Sequence, residues 1–228
     1  MLRSLPREAE GADVVRAKAL PAILSTSAVL LAGIAVTAWV ELEPLSFHMV
    51  QHIALMNVIA PLAAVAITRA ANFSFVSSGT LWTAALIQIL LLCAWHVPSV
   101  QQTMLHSGLH QIAMHGSLFA AAVLFWTSLL RLPAHAPWQG IAALLLTGKL
   151  ACLIASLLIF APRLLYAAGS SEHHAAQVTL SDQQLAGLLM ITACPLSYVV
   201  AGLVMAAQAL SDLHDRADVA RSKAVSIR

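Results

Sequence analysis

Long stretches without a formal charge constrain this chain more than any other feature. No Asp, Glu, Lys or Arg occurs from 19 to 40, from 44 to 68, from 70 to 130 or from 183 to 211. A helix that crosses a bilayer needs about 20 apolar residues, and in hydrocarbon only helices and closed barrels pair every backbone N–H and C=O. Hydrophobic residues make up 60% of the chain and charged ones 10%, against about 45–50% and about 25% in soluble domains. The chain therefore reads as an all-α, polytopic membrane protein. The stretch from 70 to 130 is too long for one crossing, and its polar middle, His96 to His110 with Pro98, Gln101, Gln102 and Gly108, divides it. A further span near 138 to 160 carries a single charge, Lys149. The expectation is a bundle of six transmembrane helices at roughly 20–40, 48–68, 79–97, 108–130, 138–160 and 184–210.

Basic residues orient this bundle. Arg3, Arg7, Arg16 and Lys18 precede the first span, Arg69 and Arg131 lie in the second and fourth connections, and Arg216, Arg221, Lys223 and Arg228 follow the last span. Only Arg163 falls on the other side. Because Lys and Arg are retained on the cytoplasmic side, both termini are expected there. Residues 1–19 mix Glu8, Glu10 and Asp13 with their basic residues, unlike a cleavable signal peptide, and read as a short cytoplasmic leader. The transmembrane domain then covers 20–210, and 211–228 is a charged cytoplasmic tail, either a solvated helix end or disordered. No repeat, phosphate loop or nucleic-acid motif is present, and the pI near 8.6 follows from the basic bias of one side.

With the orientation set, eight of the ten histidines gather at the outer edge. His48 and His52 open the second span, His96 closes the third, His106, His110 and His115 lead into the fourth, and His173 and His174 lie in the last outer loop. Only His135 and His214 fall on the cytoplasmic side. An i, i+4 spacing puts His48 and His52 on one helix face, about 6 Å of rise apart, where two imidazoles can grip one metal or haem iron. Ionisable groups entering a span are costly and usually functional. His106, His173 and His174 read as interfacial residues solvated by headgroups. Met49, Met56, Met104, Met114 and Met190 follow the same edge, and thioethers are soft ligands suited to Cu(I).

The remaining polar residues divide between structural and functional readings. Cys93 and His96 are three apart and share a helical face, with Pro98 marking the helix end. His110 and His115 are five apart, about 140° round an ideal helix, so both cannot face one target; His115, the deeper, is expected to face the bundle interior. Cys152 and Cys194 lie deep in spans without a CxxC partner, which argues against a disulfide framework and leaves the Cys194–Pro195 step a weak metal-relay signal. Lys149, near the middle of the fifth span, is expected to pair inside the bundle. Asp182, just before the sixth span, suits an N-cap, a functional role or both.

The segments SFHMVQHIALMNVIAPL at 46–62, WHVP at 95–98, MHGSLFAAAVLFW at 114–126 and SDQQLAGLLM at 181–190 resemble the CtaG-like family of cytochrome c oxidase assembly factors. The resemblance runs from the second span to the sixth and implies a multi-pass protein of the bacterial inner membrane, needed to mature a haem-copper oxidase, with copper insertion as the usual role. By position it assigns the family's motif histidines to His48, His52, His96 and His115, and its sixth-span signature to Asp182, Gln183 and Gln184. Where the family often carries a carboxylate before the fourth-span histidine this chain has Met114, and where it often continues Pro-Gly this chain has Pro195 followed by Leu196.

Residues and resemblance converge on an outward-facing copper site, Cu(I) or Cu(II), on His48, His52, His96 and His115. Met49, Cys93, His110 and Met114 are further candidate ligands, and Lys149, Asp182, Gln183 and Gln184 are candidate buried polar residues. The expected partners are oxidase subunits, a periplasmic copper chaperone, the bilayer and a second copy of the chain, with no nucleic acid and no catalysed reaction. Two other functions fit the residues: a haem-binding electron carrier, and a proton or metal-ion transporter using Lys149, Asp182 and the outer histidines.

Overall fold

The computed structural model describes residues 21, 23–32, 34–35, 41–70, 76–100, 108–133, 136–166 and 178–226. The leader, Met104, His106, His135, His173 and His174 lie outside the described residues. Regular structure among the described residues is entirely helical. Helix α1 is described over Ile23–Ala32, followed by α2 at Pro44–Ala70, α3 at Ser78–Trp95, α4 at Gly108–Leu130, α5 at Pro137–Phe160 and α6 at Leu180–Ser226. Five of these, α2 to α6, are long and apolar enough to cross a membrane, which makes this a multi-pass membrane protein. They match the expected second to sixth spans in order and position; the described part of α1 is shorter than a crossing.

Three boundaries differ from expectation, each for a local reason. Helix α2 starts at Pro44 rather than 48, because proline at the first helical position lacks only an N–H that the helix leaves unpaired there. Helix α6 starts at Leu180, where the Thr179 hydroxyl accepts from the Asp182 N–H at 3.0 Å. It continues without a break to Ser226, so the charged segment beyond 211 extends the span as helix. Helix α3 ends at Trp95, with His96 turned out of helical geometry at φ −91°, ψ 3°.

Helix α2 is not uniform. Between its α-helical ends, Ala54–Ile59 form a π-helical turn. Such a turn accommodates one extra residue, shifts the side-chain register across it and leaves carbonyls short of partners; π-bulges cluster at functional sites. Here the Trp126 indole N–H donates to the Met56 carbonyl at 3.3 Å, and the Ser197 hydroxyl donates to the Asn57 amide oxygen at 2.6 Å. The turn lets the Pro44–Ile53 half of α2 pack on α6 while the Ala60–Ala70 half packs on α4.

The core follows membrane rules, in which close backbone approach replaces the hydrophobic drive. Helix α5 lies along α6 through Gly140, Ala143, Gly148, Ala151 and Ala155. Opposite them, a Cβ on Gly187 would come within 2.9 Å of the Ala155 carbonyl oxygen. Leu81, Leu118, Phe125, Trp126, Leu144 and Leu158 fill the centre, with the Tyr198 ring tilted against those of Phe125 and Trp126. Lys149 corrects a sequence expectation: it is exposed. The inward face of α5 is taken by Gly148 and its small neighbours, and a helix turns about 100° per residue, which swings Lys149 outward. The alternation of helix directions brings the starts of α2, α4 and α6 and the ends of α3 and α5 to one end of the bundle.

Candidate metal site

At that end, four imidazoles from three helices converge. His48 and His52 sit one turn apart on α2 with ring centres 4.3 Å apart and planes at 89°. His115, from the second turn of α4, stacks on His52 at 5.0 Å and meets His48 at 5.3 Å. His96, just past the end of α3, lies 5.8 Å from His52. One ring nitrogen from each of His48, His52 and His115 falls within 4.8 Å of the others. Imidazole nitrogens around one first-row ion bond at about 2.0–2.1 Å and so stand at most about 4 Å apart. Small rotamer shifts close that difference.

The ring nitrogens are already sorted into anchors and free lone pairs. The Nδ1 of His115 lies 2.9 Å from the Gln111 carbonyl and the Nδ1 of His96 lies 2.7 Å from the Leu92 carbonyl. A carbonyl only accepts, so each Nδ1 carries the proton and donates, and each Nε2 keeps a free lone pair. Both Nε2 atoms, and the Nδ1 of His52, are buried with no hydrogen-bond partner. Buried polar atoms are normally paired, so a cluster of orphans calls for something to pair with them. Fixing the Nδ1 tautomer on a backbone carbonyl is how proteins aim an imidazole at a metal. The Nε2 atoms of His48 and His52 face each other at 2.8 Å, the one short contact between rings. Burial holds His96 below the usual histidine range against the opposing Leu92 bond, which keeps it neutral and able to ligate.

The helix carrying two of these rings is held from outside. Glu43 occupies the N-cap of α2 but makes no side-chain cap bond. Asp182 caps α2 instead: its carboxylate accepts from the Leu45 N–H at 2.9 Å, the Ser46 N–H at 2.8 Å and the Ser46 hydroxyl at 2.6 Å. The Glu43 carboxylate in turn accepts from the Thr179 hydroxyl at 2.6 Å, a second tie between the starts of α2 and α6. Asp182 is thus a cap, as one sequence reading had it, but of another helix 136 residues away in sequence. Its charge also meets the positive end of the α2 dipole, two residues before His48.

Gln183 holds the other side. Its amide oxygen accepts from the Leu165 N–H at 2.7 Å, and its amide nitrogen donates to the carbonyls of Leu158 at 3.2 Å and Arg163 at 3.3 Å. This orders the turn after α5, where the buried Tyr166 hydroxyl donates to the His96 carbonyl at 3.1 Å. Burial pushes the Tyr166 phenol up to about 12, so it remains a donor at any physiological pH. Adjacent residues on α6 therefore position two different parts of the histidine cluster.

The other candidates divide clearly. Met49 and Met114 are buried in the apolar core, and the structure shows no bond from either to a ring. Cys93 is exposed whereas His96 is buried, so the two side chains do not share an environment despite their spacing. His110 and Gln184 are exposed as well. Sequence reading missed Ser46 and Tyr166. Ser46 could have been inferred from Glu43, a poor N-cap residue before Pro44, which leaves α2 in need of an acceptor from elsewhere. Tyr166, one of only two tyrosines, sits in a turn with no periodic signal.

No curated protein and no solved structure matches the chain. A family model described as cytochrome c oxidase caa3 assembly factor (Caa3_CtaG) matches residues 2–212, a range that takes in all four converging histidines and the Asp182–Gln183 pair. The chain belongs to the family of cytochrome c oxidase caa3 assembly factors.

Proposed function

We propose that this protein holds a copper ion at the extracytoplasmic end of its bundle and passes it to a haem-copper oxidase during assembly. The observation that carries this reading is the meeting of His48, His52 and His115, with His96 alongside, each of the last two offering a buried, unpartnered Nε2. Neutral imidazoles suit both Cu(I) and Cu(II). The ion is cargo, so the residues have to bind it without enclosing it. His48 and His115 are only half-buried and give an incoming donor access, while His52 and His96 form the buried floor. Asp182 and Gln183 keep floor and rim in register.

The basic residues concentrated at the other end of the bundle, Arg69 and Arg131 among them, support placing the histidines outside the cytoplasm. In a bacterial inner membrane that face meets a periplasmic copper chaperone on one side and the oxidase subunits on the other. A haem carrier fits less well, since axial imidazoles must stand on opposite faces of a flat macrocycle, whereas these rings crowd against one another at 4.3 to 5.8 Å. A transport path through Lys149 and Asp182 loses both members: one faces outward and the other is spent on a helix cap. Anaerobic Cu(I) titration of the purified protein tests the reading. His48→Ala, His52→Ala and His115→Ala should each lower affinity at least tenfold; unchanged affinity in all three would remove the cluster as the copper site.

A further inference from the structure

The histidine site leaves Lys149 unexplained. It lies 12 residues after Pro137 and 11 before Phe160, close to the centre of α5. At about 1.5 Å per residue the ends of the helix are about 18 and 16 Å away. A lysine stem reaches roughly 6 Å, too short to bring the ammonium from mid-bilayer to either interface. The side chain is nonetheless exposed, on a face that also presents Leu145, Leu146, Leu153, Leu157 and Phe160. An ammonium facing hydrocarbon at that depth is costly and is retained where something pairs with it.

Among the described residues, none supplies the pairing group. The neighbouring Gly148 faces Tyr198 and Pro195 on α6, which sets the depth of Lys149. From there Asp182 is 13 residues away and Asp212 is 14, about 20 Å in either direction. Asp182 is already engaged at the start of α2. A second copy joined through this face about a two-fold axis normal to the membrane brings its own Lys149 to the same depth, like charge against like charge.

The geometry points to a docking face on α5 for a transmembrane helix of a different protein, one that carries an Asp or Glu carboxylate at mid-depth. Leucines on both sides of Lys149 pack along the incoming helix, and the ion pair, shielded from water and salt, fixes its depth and identity. Such a contact would let an assembly factor hold a membrane subunit while its other end presents cargo. The inference does not depend on the cargo being copper.

The test places a photoreactive amino acid at Leu146 or Leu153 in membranes that express the oxidase, and maps the adduct by mass spectrometry. The expected adduct is a span of another protein with a carboxylate at matching depth. Lys149→Leu should reduce the adduct at least tenfold and Lys149→Glu should abolish it. Lys149→Glu combined with Lys in place of the mapped carboxylate should restore it. Copper affinity and thermal midpoint are expected to stay at parent values in Lys149→Leu, which shows that the variant folds. An adduct that survives Lys149→Leu, forms only with lipid or with a second copy, or does not form at all overturns the proposal.

Discussion

Replacing Asp182 with Asn isolates the part of the site that lies outside the metal. The carboxylate accepts three bonds from the first turn of α2, at 2.9, 2.8 and 2.6 Å, all buried. Hydrogen bonds to a charged group contribute about 1.5–3 kcal/mol each, and leaving a buried donor unpaired costs about 1–3 kcal/mol. Asn keeps one acceptor, turns an NH2 group against a backbone N–H, and removes the charge that meets the helix dipole. The net loss is expected to be about 2–4 kcal/mol, concentrated at the turn that leads into His48. Groups that orient metal ligands typically cost about 10–100-fold in affinity when removed, and that range is expected here. The assay is anaerobic competition for Cu(I) against a chelator in detergent, together with the thermal midpoint of the metal-free protein. Asp182→Ala, which loses all three bonds, should lie beyond Asp182→Asn on both measures. Parent-like affinity and midpoint in Asp182→Asn would refute the claim that this carboxylate organises α2.

Other perturbations probe separate links. Tyr166→Phe withdraws the hydroxyl from the His96 carbonyl and should cost about 1–2 kcal/mol in thermal unfolding. Gly187→Ala forces a methyl to 2.9 Å from the Ala155 carbonyl oxygen and should destabilise the α5–α6 pair by about 1–3 kcal/mol, whereas Gly148→Ala, with nothing nearer than 3.7 Å, should be tolerated. Acidity should act through His96: its folded pKa is below 6.5, so between those two values the unfolded chain binds the proton that the folded chain refuses. Stability of the metal-free protein should therefore fall as pH drops below 6.5, and His96→Gln should make that fall smaller.

Much of this was legible because a membrane simplifies the code. Charge-free stretches located α2, α3, α4 and α6, a stretch with one charge located α5, spacing set His48 and His52 aside, and depth in the span singled out His115. What stayed hidden depends on contacts that local sequence does not record. The direction of Lys149 could not be read, because α5 is apolar all round and its inward face is marked only by small residues such as Gly148 and Ala151. The π turn carries no composition signal; its support comes from Trp126 and Ser197 on other helices. Asp182 was recognised as a cap, but which helix it caps is a tertiary fact. Cys93 was placed beside His96 on spacing alone, whereas packing leaves it exposed and buries His96.

X-ray absorption at the copper K-edge of the loaded, purified protein, compared with the His48→Ala/His52→Ala/His115→Ala variant, tests the central claim most directly. The expected spectrum shows imidazole scattering from at least two histidines at about 2.0 Å, and the triple variant retains no bound copper after desalting. Copper that stays bound in the triple variant, or a parent spectrum dominated by sulfur or oxygen ligands, would contradict it.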